Sequence, residues 1–337
     1  MTPLVKPTTE NLSTAAKILN DGGLVAFPTE TVYGLGADGL NETAVKKIYV
    51  AKGRPSDNPL ILHIQDKKEV LPLVLEINET AKKLMDTFWP GPMTLVFKKA
   101  DVVPSVISGG LDTVAIRLPE NQVARELIAL AKTPVAAPSA NTSGKPSPTK
   151  ASHVFEDLNG KIDMIIDGGS CDIGLESTVI DVTTLSPVIL RPGGVTFEDV
   201  YELFPDVSYD KHLTLDVISD TVKPKSPGMK YKHYAPQGEL YILDGELSKV
   251  KDYIKENADS STAVFTYDNI NFDMPYVRSL GDINTPLSGS KLLFDLLREC
   301  DSEKITKIFA LMPEKKGVGF ALYNRMFKAA GGKIIKL

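Results

Sequence analysis

Between residues 24 and 192, short apolar runs of strand length (LVAFP, PLILHI, MTLVFK, TVAIRL, TPVAAP, DMIID, STVIDV and PVILRP) are interleaved with stretches of helical spacing over 42–50, 79–88, 123–131 and 150–158. That alternation requires an α/β fold. Several runs follow one another with no helix between them, as STVIDV and PVILRP do, so antiparallel pairs are expected in a mixed, twisted sheet flanked by helices. A purely parallel doubly wound sheet is excluded. An opening helix over 12–19, closed by Gly22 and Gly23, starts the pattern.

After a short helix over 197–204 the chain turns uneven and polar from 205 to 238, ending in KPKSPGMKYKHYAPQG with Pro224, Pro227 and Pro236. A connection this long usually serves as a lid, a binding loop or a tether, and its Lys and Tyr content favours a lid. Beyond it ELYILDG, STAVFTYD, KIFALMP and KIIKL read as strands, and 247–256, 290–298 and 318–330 as helices. With 337 residues the chain also exceeds one ordinary core. The expected organisation is a catalytic domain over 1–204, a linker or lid over 205–238, and a smaller Rossmann-like α/β domain over 239–337.

The formal charge of -5 gives no overall attraction to phosphate backbones and favours a small-molecule role. Cys171 and Cys300 stand alone, so neither a disulfide framework nor a zinc site is implied. No signal peptide and no bilayer-length apolar run is evident, so a cytoplasmic protein without a membrane partner is expected.

Polar, glycine-rich and basic residues gather in PTETVYGLGADG and AKGRPSDNPLILHI, which read as loops beside apolar runs. Gly34, Gly36 and Gly39 satisfy GxGxxG, but the segment from Pro28 to Tyr33 separates them from the strand and Asp57 precedes the next one, so a dinucleotide fingerprint is set aside. No P-loop motif is present. Lys52, Arg54 and Lys145 are cations suited to a polyphosphate, although Lys52 and Arg54 also fit a solvated helix C-terminus. His63 also fits a satisfied core histidine. VAAPSANTSGKPSPT offers Ser139, Asn141, Thr142, Ser143 and Ser147 to an anion, or is an ordinary Ser/Pro turn. Ser139 lacks a G-x-S-x-G context, which argues against a serine hydrolase. Thr113, Arg117, Ser177, Thr178 and Arg191 are polar residues in otherwise apolar runs, and such an arginine requires a partner, for which a substrate carboxylate is suited.

PTETVYGLG, Lys52 with Arg54, the run from Pro59 to His63, and Ser139 with Asn141 together resemble the YrdC-like domain. SPGMKYKHYAP and the smaller domain after it resemble the two-domain form of the threonylcarbamoyl-AMP synthases. The resemblance implies an ATP-dependent nucleotidyltransferase that condenses L-threonine and bicarbonate into threonylcarbamoyl-AMP, which partner proteins transfer to tRNA beside the anticodon. It further implies threonine contacts from Thr31, His63, Arg117, Ser177 and the Ala137 backbone. ATP contacts are implied for Lys52, Arg54, Asn58, Thr113, Ser139, Asn141, Ser147 and Arg191, with Lys52 and Arg54 as the catalytic cations and Tyr231 or Tyr234 closing over the nucleotide. Mg²⁺ is expected with ATP, its protein ligands unassigned. The other functions carried by such domains are an RNA-binding module, with a weak RNA contact through a basic concave surface, and a carbamoyl-transfer domain.

Overall fold

The computed structural model describes residues 1–214 and 234–337. Tyr231 and most of the SPGMKYKHYAP motif lie outside the described residues. Among those described, eleven strands form one mixed sheet in the order Leu4–Val5, Met164–Ile166, Val25–Phe27, Gly34–Asp38, Val135–Ala136, Ile61–His63, Thr113–Arg117, Met93–Lys98, Thr178–Asp181, Val188–Arg191 and Ser208–Tyr209. Thr178–Asp181 and Val188–Arg191 pair antiparallel, with an irregularity between Ile189 and Arg191. The α/β class with antiparallel pairs is therefore what the alternation and the helix-free connections dictated.

The glycine-rich segment is not the loop its composition suggested. Gly34–Asp38 is a strand, antiparallel to Val25–Phe27 and to Val135–Ala136. Its glycines answer a packing demand, because a Cβ at Gly36 would stand 2.9 Å from both Phe27 Cε1 and Val135 Cγ1. In the turn just after the strand, one at Gly39 would meet Leu62 Cδ2 at 2.5 Å.

Strand periodicity sets which face of this sheet carries chemistry. Leu35, Leu62, Leu95, Ile116, Ala136 and Ile180 point into the main core. The opposite face carries a small apolar cluster of Ile61, Val96, Ala115, Val179 and Leu190, and beyond it His63 and Arg117. Those two residues are direct partners in the parallel pairing of Ile61–His63 with Thr113–Arg117, while Thr94 lies opposite Arg117 on the other side.

The helix Glu42–Lys52 delivers two further side chains. Asn41 begins it by accepting from the Thr43 and Ala44 amides through Oδ1, each at 3.1 Å. Gly53 ends it in the left-handed region, φ 60°, with its amide bonded back to the last turn. The helix stops directly after Lys52, and Arg54 begins the loop that follows.

Five parallel strands, Val277–Ser279, Thr262–Thr266, Lys307–Leu311, Glu239–Asp244 and Ile334–Lys336, make a second sheet in that order. The helices Leu247–Asn257, Pro286–Ser302 and Val318–Ala329 alternate with them. Val32 and Leu175 belong to the hydrophobic cluster of this second half. Arg298 reaches across to Asp157 Oδ2 at 2.8 Å and Pro146 O at 2.6 Å, and Asp295 receives both Lys150 at 2.7 Å and His153 Nε2 at 3.0 Å. The two halves thus meet through polar as well as apolar contacts.

Candidate active site

Thr31, Lys52, Arg54, His63, Arg117, Ala137, Ser139, Asn141, Ser177, Arg191 and Tyr234 line one cavity on that second face of the large sheet. Their positions come from separate local devices. The Thr29 hydroxyl donates to Val32 O at 2.6 Å and accepts from the Thr31 and Val32 amides, each at 3.2 Å, closing a turn that presents Thr31. Ser139 Oγ donates to Asn141 Oδ1 at 2.5 Å, and Asn141 Nδ2 donates to Thr142 O and Lys145 O, so the SAN loop is held rigid.

Lys52, 2% exposed, pins the same loop from below: its Nζ donates to Ser139 O and to Asn141 O, both at 2.5 Å. Burial, and then the neighbouring Arg54, push its pKa well below the usual lysine value. Arg54 donates through NH2 to Pro59 O at 3.1 Å, while its Nε has no partner among the described residues. Burial lowers its pKa to about 10, leaving it charged near neutrality. Arg191 is likewise lowered to about 10 by burial, and its Nε and NH2 fix Ser177 through O at 3.0 Å and Oγ at 3.1 Å. Ser177 Oγ stands 2.7 Å from Thr94 Oγ1.

Arg117 has the protein partner that its strand position demanded. NH2 lies 2.6 Å from Glu30 Oε1, NH1 donates to Thr31 Oγ1 at 2.7 Å, and Nε donates to Gly91 O at 3.3 Å. The Glu30 contact counts as an ion pair by charge and separation, although its angle is poor for a hydrogen bond. Five N–H groups minus these three engagements leave two without a partner among the described residues. Beside it His63, 4% exposed, is held neutral: burial, and then Arg117, lower its pKa to about 3. Among the described residues its Nδ1 has no partner.

The remaining expected positions lie off the cavity wall. Ser147 is fully buried one hydrogen bond behind it, donating to Glu176 at 2.5 Å. Thr113 shares the face of Arg117 but is four residues away, about 13 Å along the strand. Asn58 is buried with Oδ1 lacking a partner among the described residues. Of the two linker tyrosines only Tyr234 can be placed: it lines the cavity, 6% exposed, against the Phe294 ring at 5.1 Å.

Sequence reasoning missed Glu30, which holds Arg117, and Glu176, Thr29 and Tyr33, which line the cavity. The two acids carried a legible signal, since a carboxylate among buried neighbours demands a cation.

The buried carboxylates make a pH prediction. Burial alone would raise Glu30, Asp157 and Glu176, but Arg117, Arg298 and Arg325 respectively outweigh it and leave all three below their ordinary values of 4.5, 3.8 and 4.5. A depressed folded pKa adds stability above the unfolded value, and that stability is lost as pH falls through the folded one. The urea midpoint is therefore expected to hold from about pH 7 to about pH 5 and to fall below about pH 4.5. A midpoint unchanged down to about pH 3 contradicts these pairings.

A twisted mixed sheet that gathers a neutral histidine, fixed arginines, a hydroxyl-rich loop and phosphate-suited cations on one face defines a nucleotide-handling enzyme of the YrdC-like class. The family model described as telomere recombination matches residues 17–193, and that of the threonylcarbamoyl-AMP synthase C-terminal domain matches 195–331. Threonylcarbamoyl-AMP synthase of Pyrococcus abyssi is 48% identical over 327 residues, 96% of this chain and 95% of the relative. That of Bacillus subtilis is 45% identical over 333 residues, covering 96% and 94%. The crystal structure of P. abyssi Sua5 complexed with L-threonine superposes with a TM-score of 0.93 at 45% identity, over 100% of this chain and 99% of that one. The chain belongs to the threonylcarbamoyl-AMP synthase family, whose members are nucleotidyl-transferring enzymes. No helix among the described residues is long and apolar enough to cross a membrane.

Proposed function

We propose that the chain condenses L-threonine, bicarbonate and ATP into threonylcarbamoyl-AMP, releasing pyrophosphate and water. The observation that carries this reading is the two-sided cavity. Thr31, Arg117 and Ser177, each held by hydrogen bonds, make one wall with neutral His63 beside them, and Lys52, Arg54, Lys145 and Arg191 supply cations around it. Threonine fits the first side: the two uncommitted N–H groups of Arg117 take its carboxylate, while neutral His63 and Thr31 take its hydroxyl and amine.

The amine must first be carboxylated, with loss of water from bicarbonate. The carbamate oxygen then attacks the α-phosphorus in line, and the bond to pyrophosphate breaks. No enzyme nucleophile is needed, so positioning and charge neutralisation do the catalytic task. Arg54, whose Nε–H has no partner among the described residues, and Arg191 would hold the phosphates. Lys52, engaged with two carbonyls, would set the Ser139–Asn141 loop under the nucleotide and add its charge. Asn58, Thr113 and Ser147 join the ATP side in this reading, and Tyr234 covers the nucleotide.

Mg²⁺ is proposed to arrive on the phosphates. Among the described residues no group of three or more His, Cys, Asp or Glu is placed to hold a metal, and the acids nearest the cavity, Glu30 and Glu176, are committed to Arg117 and Arg325. No step is assigned to it. The domain division at 1–204, 205–238 and 239–337 goes with this proposal, with Ser208–Tyr209 still pairing to the first sheet. So do a cytoplasmic location, hand-over of the product to tRNA threonylcarbamoyl-transfer proteins and, at most, weak RNA contact.

Purified protein with ATP, Mg²⁺ and bicarbonate should release pyrophosphate only when L-threonine is added. Release of the same size without threonine would remove the synthase reading.

A further inference from the structure

The helix Val318–Ala329 of the second half sends Arg325, with no exposed surface, into the first half. Its Nε donates to Glu176 Oε2 at 2.7 Å, NH2 donates to Pro192 O at 2.9 Å, and NH1 donates to Asn324 Oδ1 at 3.0 Å. Glu176 lines the cavity, and its other oxygen accepts from the Ser147 hydroxyl at 2.5 Å. The chain neighbours of the two clamped residues, Ser177 after Glu176 and Arg191 before Pro192, are already joined to each other. The guanidinium also lies 5.8 Å from the centre of the Tyr234 ring.

We propose that Arg325 is a positioning residue for ATP: it clamps Glu176 to Pro192 and, through the Glu176 carboxylate, fixes which way the Ser147 hydroxyl points. This rests on the ATP-site reading above. The second half of the chain thereby completes a wall that the first sheet leaves unfinished.

The consequence follows from counting protons. An ionised carboxylate cannot donate, so Ser147, fully buried behind the wall, gives its proton to Glu176 and holds that carboxylate in its place in the cavity lining. The charged and titratable groups facing Glu176 are Arg325 and Lys328 from the helix, Arg191 from its strand, and Tyr234. Burial works against the charged form of Glu176, and Arg325 is the foremost influence opposing it, ahead of Arg191. Without Arg325 the carboxyl takes up a proton at higher pH, donates to Ser147, and reverses the hydrogen bond.

The test is ATP affinity by calorimetry at about pH 6 and about pH 8 for wild type, Arg325→Met, Arg325→Lys and the double variant Arg325→Met/Glu176→Gln. Arg325→Met is expected to weaken ATP relative to wild type about 30-fold at pH 6 and about threefold at pH 8, with threonine affinity changed less than about threefold. Arg325→Lys, which keeps the charge, should lose only about threefold at either pH, and the double variant should show a loss independent of pH. Equal losses at both pH values in Arg325→Met, or none, overturn the proposal. If Arg325→Met does not fold, a loss in Arg325→Lys as large as about 30-fold at both values overturns it equally. Wild-type protein that binds ATP but yields no threonine-dependent pyrophosphate removes the synthase reading, while the affinities still decide the role of Arg325.

Discussion

Lys52→Met is expected to abolish threonine-dependent pyrophosphate release and to lower folding stability by about 2 to 4 kcal/mol. The stability loss follows from two buried contacts. With the ammonium gone, Ser139 O and Asn141 O each lose a donor at 2.5 Å, and an unsatisfied buried acceptor costs about 1 to 3 kcal/mol. The activity loss follows from the same geometry, because those carbonyls belong to the loop that carries the Ser139 and Asn141 side chains. Urea unfolding read beside the pyrophosphate assay checks both effects. An inactive variant of wild-type stability would mean that Lys52 acts on the substrate alone and does not hold the loop.

Arg54→Ala separates the two roles. It gives up a hydrogen bond to Pro59 O at 3.1 Å and a long one to Asn58 O at 3.4 Å, together worth about 1 to 2 kcal/mol, so the unfolding midpoint should move little. Its side chain, by contrast, lines the cavity, with an Nε–H that has no partner among the described residues. Removing a positioned donor from developing phosphate charge costs about 3 to 4 kcal/mol in the transition state, so kcat/KM for ATP is expected to fall about 100- to 1000-fold. Steady-state kinetics with folded protein measure this directly. Turnover within about threefold of wild type would show that the phosphates lie elsewhere.

The contrast between these neighbours marks what the sequence could and could not carry. Lys52 and Arg54 were both legible as loop cations at a helix end. That one pins a loop 87 residues away through backbone carbonyls while the other keeps an N–H unpartnered among the described residues depends on tertiary placement, which no local pattern encodes. Arg117 was read as seeking a carboxylate, and rightly so in kind, yet Glu30 provides one from the protein. The two N–H groups left over are a matter of geometry.

Elements followed the same division. Strands and helices with a full period were legible, whereas Leu4–Val5 and Val277–Ser279 are too short to show one. Gly34–Asp38 was hidden for a different reason: closely spaced glycines normally announce a turn, and here Gly34 and Gly36 let Phe27 and Val135 pack against a strand backbone, with only Gly39 in the turn that follows. The cavity's apolar underside was therefore readable, but the strand bearing its floor was not. Arg325 is the extreme case, a helix residue whose partner Glu176 lies 149 residues away in the other half.

The central claim, that one cavity joins threonine, bicarbonate and ATP, is tested most directly by following the carbon. Purified protein incubated with ATP, Mg²⁺, L-threonine and ¹³C-bicarbonate should yield a nucleotide that mass spectrometry identifies as threonylcarbamoyl-AMP with the heavy carbon in its carbamoyl group. An adenylated product without that label, or formation of AMP and pyrophosphate with no threonine incorporated, contradicts the account.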